Sequence, residues 1–80
     1  MRVFDLVTLR DFWEKHTDAG MHLKAWLAEV KIANWSGPAE LKSKHRTASI
    51  LRNGRVVFNI GGNKYRLVAA ITYKHQILFI

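Results

Sequence analysis

Apolar positions in the first half of the chain recur with the period of a helix. Leu9, Phe12, Trp13 and His16 follow one another at helical spacing behind Thr8. Thr8 is the candidate N-cap, with Asp11 three residues on as a variant of the capping box. Leu23, Trp26, Leu27 and Val30 then fall at i, i+3, i+4 and i+7, one apolar stripe with Lys24, Glu29 and Lys31 outside it. Asp18 is the candidate cap of this second helix. So short a join predicts an antiparallel helical hairpin. Trp13 and Trp26 are expected in its core, because aromatic residues at helical spacing serve packing first.

Asn34-Trp35-Ser36-Gly37-Pro38 breaks the second helix. Pro38 suits the first position of a short third helix through Ala39, Leu41 and Lys44, with Glu40 in the first turn where the helix dipole favours an acid. Beyond it the period changes to two. Thr47 to Leu51, Arg55 to Ile60, Tyr65 to Ile71 and Gln76 to Ile80 are rich in Val, Ile and aromatic residues and read as strands. Asn53-Gly54 is the favoured pair of a two-residue type I′ hairpin, Gly61-Gly62-Asn63 marks a second turn, and Thr72-Tyr73-Lys74-His75 a third. None of these connections holds a crossover helix, so the four strands are expected to be antiparallel neighbours. Arg2-Val3-Phe4 is a candidate fifth strand. The expectation is a single α+β domain over residues 1–80, a helical hairpin packed on one face of a twisted antiparallel sheet of four to five strands.

Charge changes the picture more than composition does. The chain carries 13 Lys and Arg against 6 Asp and Glu, a net of +7, and the excess is not spread evenly. All six acids lie in residues 1–40, whereas residues 41–80 hold Lys42, Lys44, Arg46, Arg52, Arg55, Lys64, Arg66 and Lys74 and no acid. A folded half without a carboxylate points to a polyanionic partner, since phosphate contacts supply affinity and steer encounter. With no cysteine, disulfides and Cys-based zinc sites are excluded, which fits a reducing, cytoplasmic setting. No apolar run approaches the roughly 20 residues that span a bilayer, and the opening residues lack the core of a signal peptide, so no membrane partner is expected.

The remaining chemistry narrows by elimination. His16, His22, His45 and His75 show no i, i+4 pair, and the acids are scattered, so no metal and no other cofactor is expected. Gly61-Gly62-Asn63-Lys64 lacks the second half of a phosphate-binding loop and reads as a tight turn. What is left is a basic sheet surface. Strand alternation puts Lys64, Arg66 and Val68 on one face and Tyr65, Leu67, Ala69 and Ile71 on the other. The second set offers the apolar side on which helices pack, so Lys64 and Arg66 are expected to project together from the opposite face.

Such a face suits RNA. Metal-free cleavage proceeds by attack of a ribose 2′-OH on the adjacent phosphate, and it needs a base, a cation for the phosphorane and an acid for the leaving oxygen. Arg66 is the candidate cation, because its fork matches phosphate bidentately. Lys64, His45 and His75 are the candidate proton-transfer groups. Lys42, Lys44, Arg46, Arg55, Asn59, Asn63 and Lys74 are the candidate RNA contacts around them.

Three stretches also carry a family resemblance. Residues 2–16, the run Leu23-Lys24-Ala25-Trp26 through Val30-Lys31 with Trp35 and Pro38, and above all Arg55-Val56-Val57-Phe58-Asn59-Ile60-Gly61-Gly62-Asn63-Lys64-Tyr65-Arg66-Leu67-Val68 resemble HigB-type toxins of the RelE-like group. The resemblance implies a RelE-like fold, an endoribonuclease that cleaves ribosome-bound mRNA, and neutralisation by a cognate HigA-type antitoxin with a helix-turn-helix domain. Tyr65-Arg66-Leu67 is similar to the strand on which the arginine of such toxins meets the scissile phosphate. Relatives place lysines on the preceding strand, where this chain has Val57 and Asn59. They also continue into a Gly-Thr-His segment followed by Tyr-Asp, which residues 1–80 do not contain. A catalytically weak or inactive RNA- or antitoxin-binding module is therefore the alternative that the resemblance carries.

Overall fold

A computed structural model describes residues 1–80. In chain order it contains β1 (Arg2–Phe4), α1 (Leu6–Lys15), α2 (Thr17–Ile32), α3 (Pro38–Lys44), β2 (Ser49–Ile50), β3 (Arg55–Ile60), β4 (Tyr65–Thr72) and β5 (Ile77–Phe79). The five strands form one sheet in the order β1-β5-β4-β3-β2. The three helices lie on one of its faces, an α+β arrangement. No helix is long and apolar enough to cross a membrane.

Period-two alternation decides which side chains meet the helices. On β3, Val56, Phe58 and Ile60 are buried, while Val57 and Asn59 turn the other way. On β4 the residues packed into the core are Tyr65, Leu67, Ala69 and Ile71, and on β5 Leu78. From the helical layer Leu9, Leu23, Trp26, Leu27, Val30 and Leu41 complete this core. Trp26 meets Phe58 edge-on at a centroid separation of 5.2 Å. Such a pair adds about 1 kcal/mol beyond its area burial. Trp13 sits differently from expectation. It is half-buried at the margin, packed against Gly20 and beneath the Lys24 ammonium, 5.6 Å above its ring.

Helix starts differ from the sequence expectation by a few residues. The cap of α1 is Asp5, in the left-handed region at φ 70, not Thr8. Asp5 accepts from the Thr8 backbone N–H at 3.4 Å and from its hydroxyl at 2.7 Å, so Thr8 is the capped residue. Both residues are good cap formers, and the one that can turn the chain out of β1 takes the position. His16 alone separates α1 from α2, which places Asp18 in the first turn of α2 instead of at its cap. There its charge still opposes the positive end of the helix dipole. The α-amino group of Met1 satisfies the other end of α2, donating to the carbonyls of Val30 (2.9 Å), Lys31 (3.1 Å) and Ala33 (2.6 Å). Pro38 and Glu40 open α3 as the sequence indicates.

The sheet is mixed, which corrects the expectation of a fully antiparallel one. β2–β3, β3–β4 and β4–β5 are antiparallel, but β1 runs parallel to β5, pairing Arg2 with Ile77, Val3 with Leu78 and Phe4 with Phe79. The connection argument holds only for neighbours in sequence, and β1 reaches β5 from the far end of the chain. β2 is shorter than the Thr47 to Leu51 strand expected. The Thr47 carbonyl accepts from the Asn59 side chain at 3.1 Å, and the Ala48 carbonyl accepts from Lys42 Nζ. Side chains thus satisfy groups that a longer ladder would have used. The Asn53-Gly54 turn has positive φ at both residues, 61 and 73, as a type I′ hairpin requires.

Candidate nucleic-acid interface

The face of the sheet turned away from the helices is built by the residues the core rejects. Register fixes their neighbours. Asn59 on β3 lies directly opposite Arg66 on β4, Val57 opposite Val68, and Arg55 opposite Ala70. On the far side of β4, Ala70 faces Phe79 and Thr72 faces Ile77. Arg55, Arg66 and Val68 are exposed, Val68 by 53%. Arg66 therefore stands in the open beside Asn59, on the outer face that strand alternation indicates.

The other candidates for catalysis are not gathered around Arg66. Lys64 belongs to the turn before β4 and reaches back to the helical layer, with Nζ 2.5 Å from the Asp18 carboxylate. The neighbouring Tyr65 hydroxyl donates to both oxygens of the same carboxylate, at 2.9 and 3.1 Å. Hydrogen bonds from Lys64 and then Tyr65 hold the Asp18 carboxyl below its ordinary range. The same contact raises the pKa of Lys64 and of Tyr65. A free base is thus made harder to obtain from Lys64.

His45 caps α3 on the helical side, edge-on to Trp35 at 5.5 Å and to Phe58 at 5.3 Å. Burial lowers its pKa, and Glu29, 3.7 Å away, opposes that shift. His75 is exposed in the turn between β4 and β5, beyond the opposite end of β4 from Arg66. That separation is at least about 20 Å at the rise of a strand.

The candidate RNA contacts divide in the same way. Arg55 and Asn59 share the outer face, though the Asn59 amide nitrogen is engaged by Thr47. Asn63 is exposed in the turn next to Lys64. Lys42 turns its ammonium to the Ala48 carbonyl, and Lys44 lines a pocket with Glu29, Glu40 and His45 on the helical side. Arg46 is exposed after α3, and Lys74 stands beside His75 at the distant turn.

Phe4, Phe79 and Arg2 also lie on or beside the outer face, and the sequence reading did not single them out. The Phe4 and Phe79 rings stack at 5.3 Å with 21° between their planes, and the Arg2 guanidinium lies 5.2 Å from the Phe4 ring. Alternation on β5 signals that Phe79 faces outward, but only the parallel register brings it beside Phe4. An apolar cavity of about 190 Å³ opens between α1 and β4, with Leu9, Phe12, Leu67 and Ile80 in its walls and Arg66 and Val68 also lining it.

The family described as HigB_toxin, RelE-like toxic component of a toxin-antitoxin system, matches residues 19–80. That span takes in α2 from its third residue, α3 and β2 to β5, and so the whole strand bearing Arg66. None of the curated proteins matches the chain.

Proposed function

The chain belongs to the HigB toxin family, RelE-like toxic components of toxin–antitoxin systems, and from that premise we propose that it is an mRNA interferase acting in the cytoplasm on ribosome-bound message. The observation that carries the reading is the exposed Arg66, on a sheet face whose strands contribute no carboxylate. A message laid along that face presents a phosphate to the Arg66 guanidinium. The ribose 2′-hydroxyl gives its proton to water as its oxygen attacks phosphorus, the bond to the following 5′-oxygen breaks and that oxygen takes a proton from water, so that a 2′,3′-cyclic phosphate and a 5′-hydroxyl result. Arg66 stabilises the charge that gathers on the equatorial oxygens, a role for which a fixed cation is effective. The family implies an antitoxin partner, which we take to be a HigA-type protein with a helix-turn-helix domain.

A second reading, a binding module that holds RNA or antitoxin and cuts weakly or not at all, is favoured by one observation. Lys64, His45 and His75 each stand away from Arg66. Primer extension on message translated with the purified protein separates the two. Cleavage predicts new 5′ ends that vanish in Arg66→Ala, together with loss of growth inhibition, while the variant still binds antitoxin. If the wild-type chain yields no new ends on ribosome-bound message, the catalytic reading fails.

A further inference from the structure

We propose that the stacked Phe4–Phe79 pair is a base-stacking platform for single-stranded RNA. The inference rests on the reading of the outer face as an RNA surface, and adds to it the part of the nucleotide that phosphate contacts leave unrecognised.

Alternation forces both rings outward, because their neighbours Val3 and Leu78 pack into the core. Phe4 remains 38% exposed and Phe79 46% exposed. Across the sheet Phe79 faces Ala70, and Ala70 faces Arg55. A small side chain between the ring and the arginine leaves a shallow floor for a flat ligand.

Charge decides what kind of ligand fits. The Lys64–Asp18 ion pair and the His45–Glu29 contact involve none of Arg2, Arg55 and Arg66. The nearest acid in sequence, Asp5, is engaged by Thr8. An apolar protein surface would be matched by apolar area alone. Phe4 is held between Phe79 and the Arg2 guanidinium, so the exposed surface of Phe79, flanked by guanidinium groups outside any ion pair, is the part that matches a nucleobase joined to phosphate.

Arg66 lies four residues along β4 from Ala70, about 13 Å. The platform therefore grips a base away from the phosphate at Arg66. Stacking accepts any base, so it adds affinity without adding a sequence code.

The test titrates a short single-stranded RNA carrying 2-aminopurine, read by fluorescence over a series of salt concentrations. Phe79→Leu keeps the apolar volume and removes the π-face, and is expected to weaken binding about tenfold with an unchanged salt slope. Phe79→Trp is expected to bind as tightly as wild type or tighter. Arg66→Ala reports on the underlying reading, and should lower the salt slope by about one. Equal binding by wild type, Phe79→Leu and Phe79→Trp, with the slope lowered in Arg66→Ala, overturns the platform and leaves the phosphate surface standing. Phe79→Leu that spares RNA but weakens antitoxin binding makes the pair a protein contact and overturns the proposal too. A wild-type protein that binds no RNA even at low salt removes both readings.

Discussion

The Tyr65 hydroxyl donates to both carboxylate oxygens of Asp18, while Lys64, one residue earlier, pairs with the same group. One acid on α2 thus fixes the start of the strand that carries Arg66. These hydrogen bonds depress the Asp18 pKa below its ordinary 3.8. A carboxyl shifted in that direction stabilises the fold above its unfolded pKa and loses the contribution as pH falls. Asp18→Asn is therefore expected to melt below wild type at neutral pH, and the two melting curves should converge well below pH 3.8. Thermal unfolding followed by circular dichroism checks both limbs. Curves separated equally at both ends would mean that ionisation of Asp18 plays no part.

His45 gives a shift of the opposite kind. Burial against Trp35 and Phe58 lowers its pKa from the ordinary 6.5, with Glu29 acting against the shift. Glu40 and Lys44 line the same pocket. Between the folded and unfolded values the unfolded chain binds the extra proton, so stability falls as pH drops through 6.5. His45→Phe keeps an aromatic ring and removes the titration. Urea unfolding midpoints of wild type should fall from neutral to mildly acidic pH more steeply than those of His45→Phe. Parallel slopes would show that His45 is not the group responsible.

What the sequence made legible follows from how local each signal is. The bounds of β3 are recovered residue for residue, because Val56, Phe58 and Ile60 alternate with Val57 and Asn59 and the Asn53-Gly54 turn sets the start. The same alternation places Arg66 outward before any contact is known. The Asp5 cap was missed because Thr8 has equal capping chemistry, and periodicity does not say which of the two leaves β1. The parallel β1–β5 pairing joins the two ends of the chain and leaves no mark on either segment alone. For the same reason the Phe4–Phe79 stack was hidden. Lys64 and His45 were assigned by residue type, but their partners Asp18, Trp35 and Phe58 come from other elements.

Gly54 and Gly62 offer a graded test of the hairpins. Both have positive φ, 73 and 72, but a Cβ on Gly54 would stand 2.7 Å from the Ile71 carbonyl oxygen, whereas on Gly62 it would meet open space. The Gly54 carbonyl also accepts the Ile71 N–H at 2.8 Å. Left-handed backbone alone costs an alanine about 1 kcal/mol. Displacing the Ile71 strand adds the loss of a buried hydrogen bond, about 1 kcal/mol more. Gly62→Ala is expected to lose about 1 kcal/mol and Gly54→Ala about 2 or more in urea unfolding. Equal losses would remove the close approach of Gly54 to β4 as the cause.

Arg66 and Lys64 are two residues apart, yet the fold gives them different electrostatic surroundings. Arg66 pairs with no carboxylate, whereas Lys64, 62% exposed, is matched by Asp18. A cation that neutralises a phosphate releases a counterion and steepens the salt dependence of binding, while one already matched by a carboxylate does so only if it leaves that partner. Arg66→Ala is therefore expected to lower the slope of RNA affinity against salt by about one, and Lys64→Ala to leave it nearly unchanged. Asp18→Asn frees the Lys64 ammonium and is expected to steepen the slope. Filter binding of single-stranded RNA across a salt series measures all three. A loss in Lys64→Ala equal to that in Arg66→Ala would mean that the lysine exchanges Asp18 for phosphate when RNA arrives, so that both cations of the strand serve the nucleic acid.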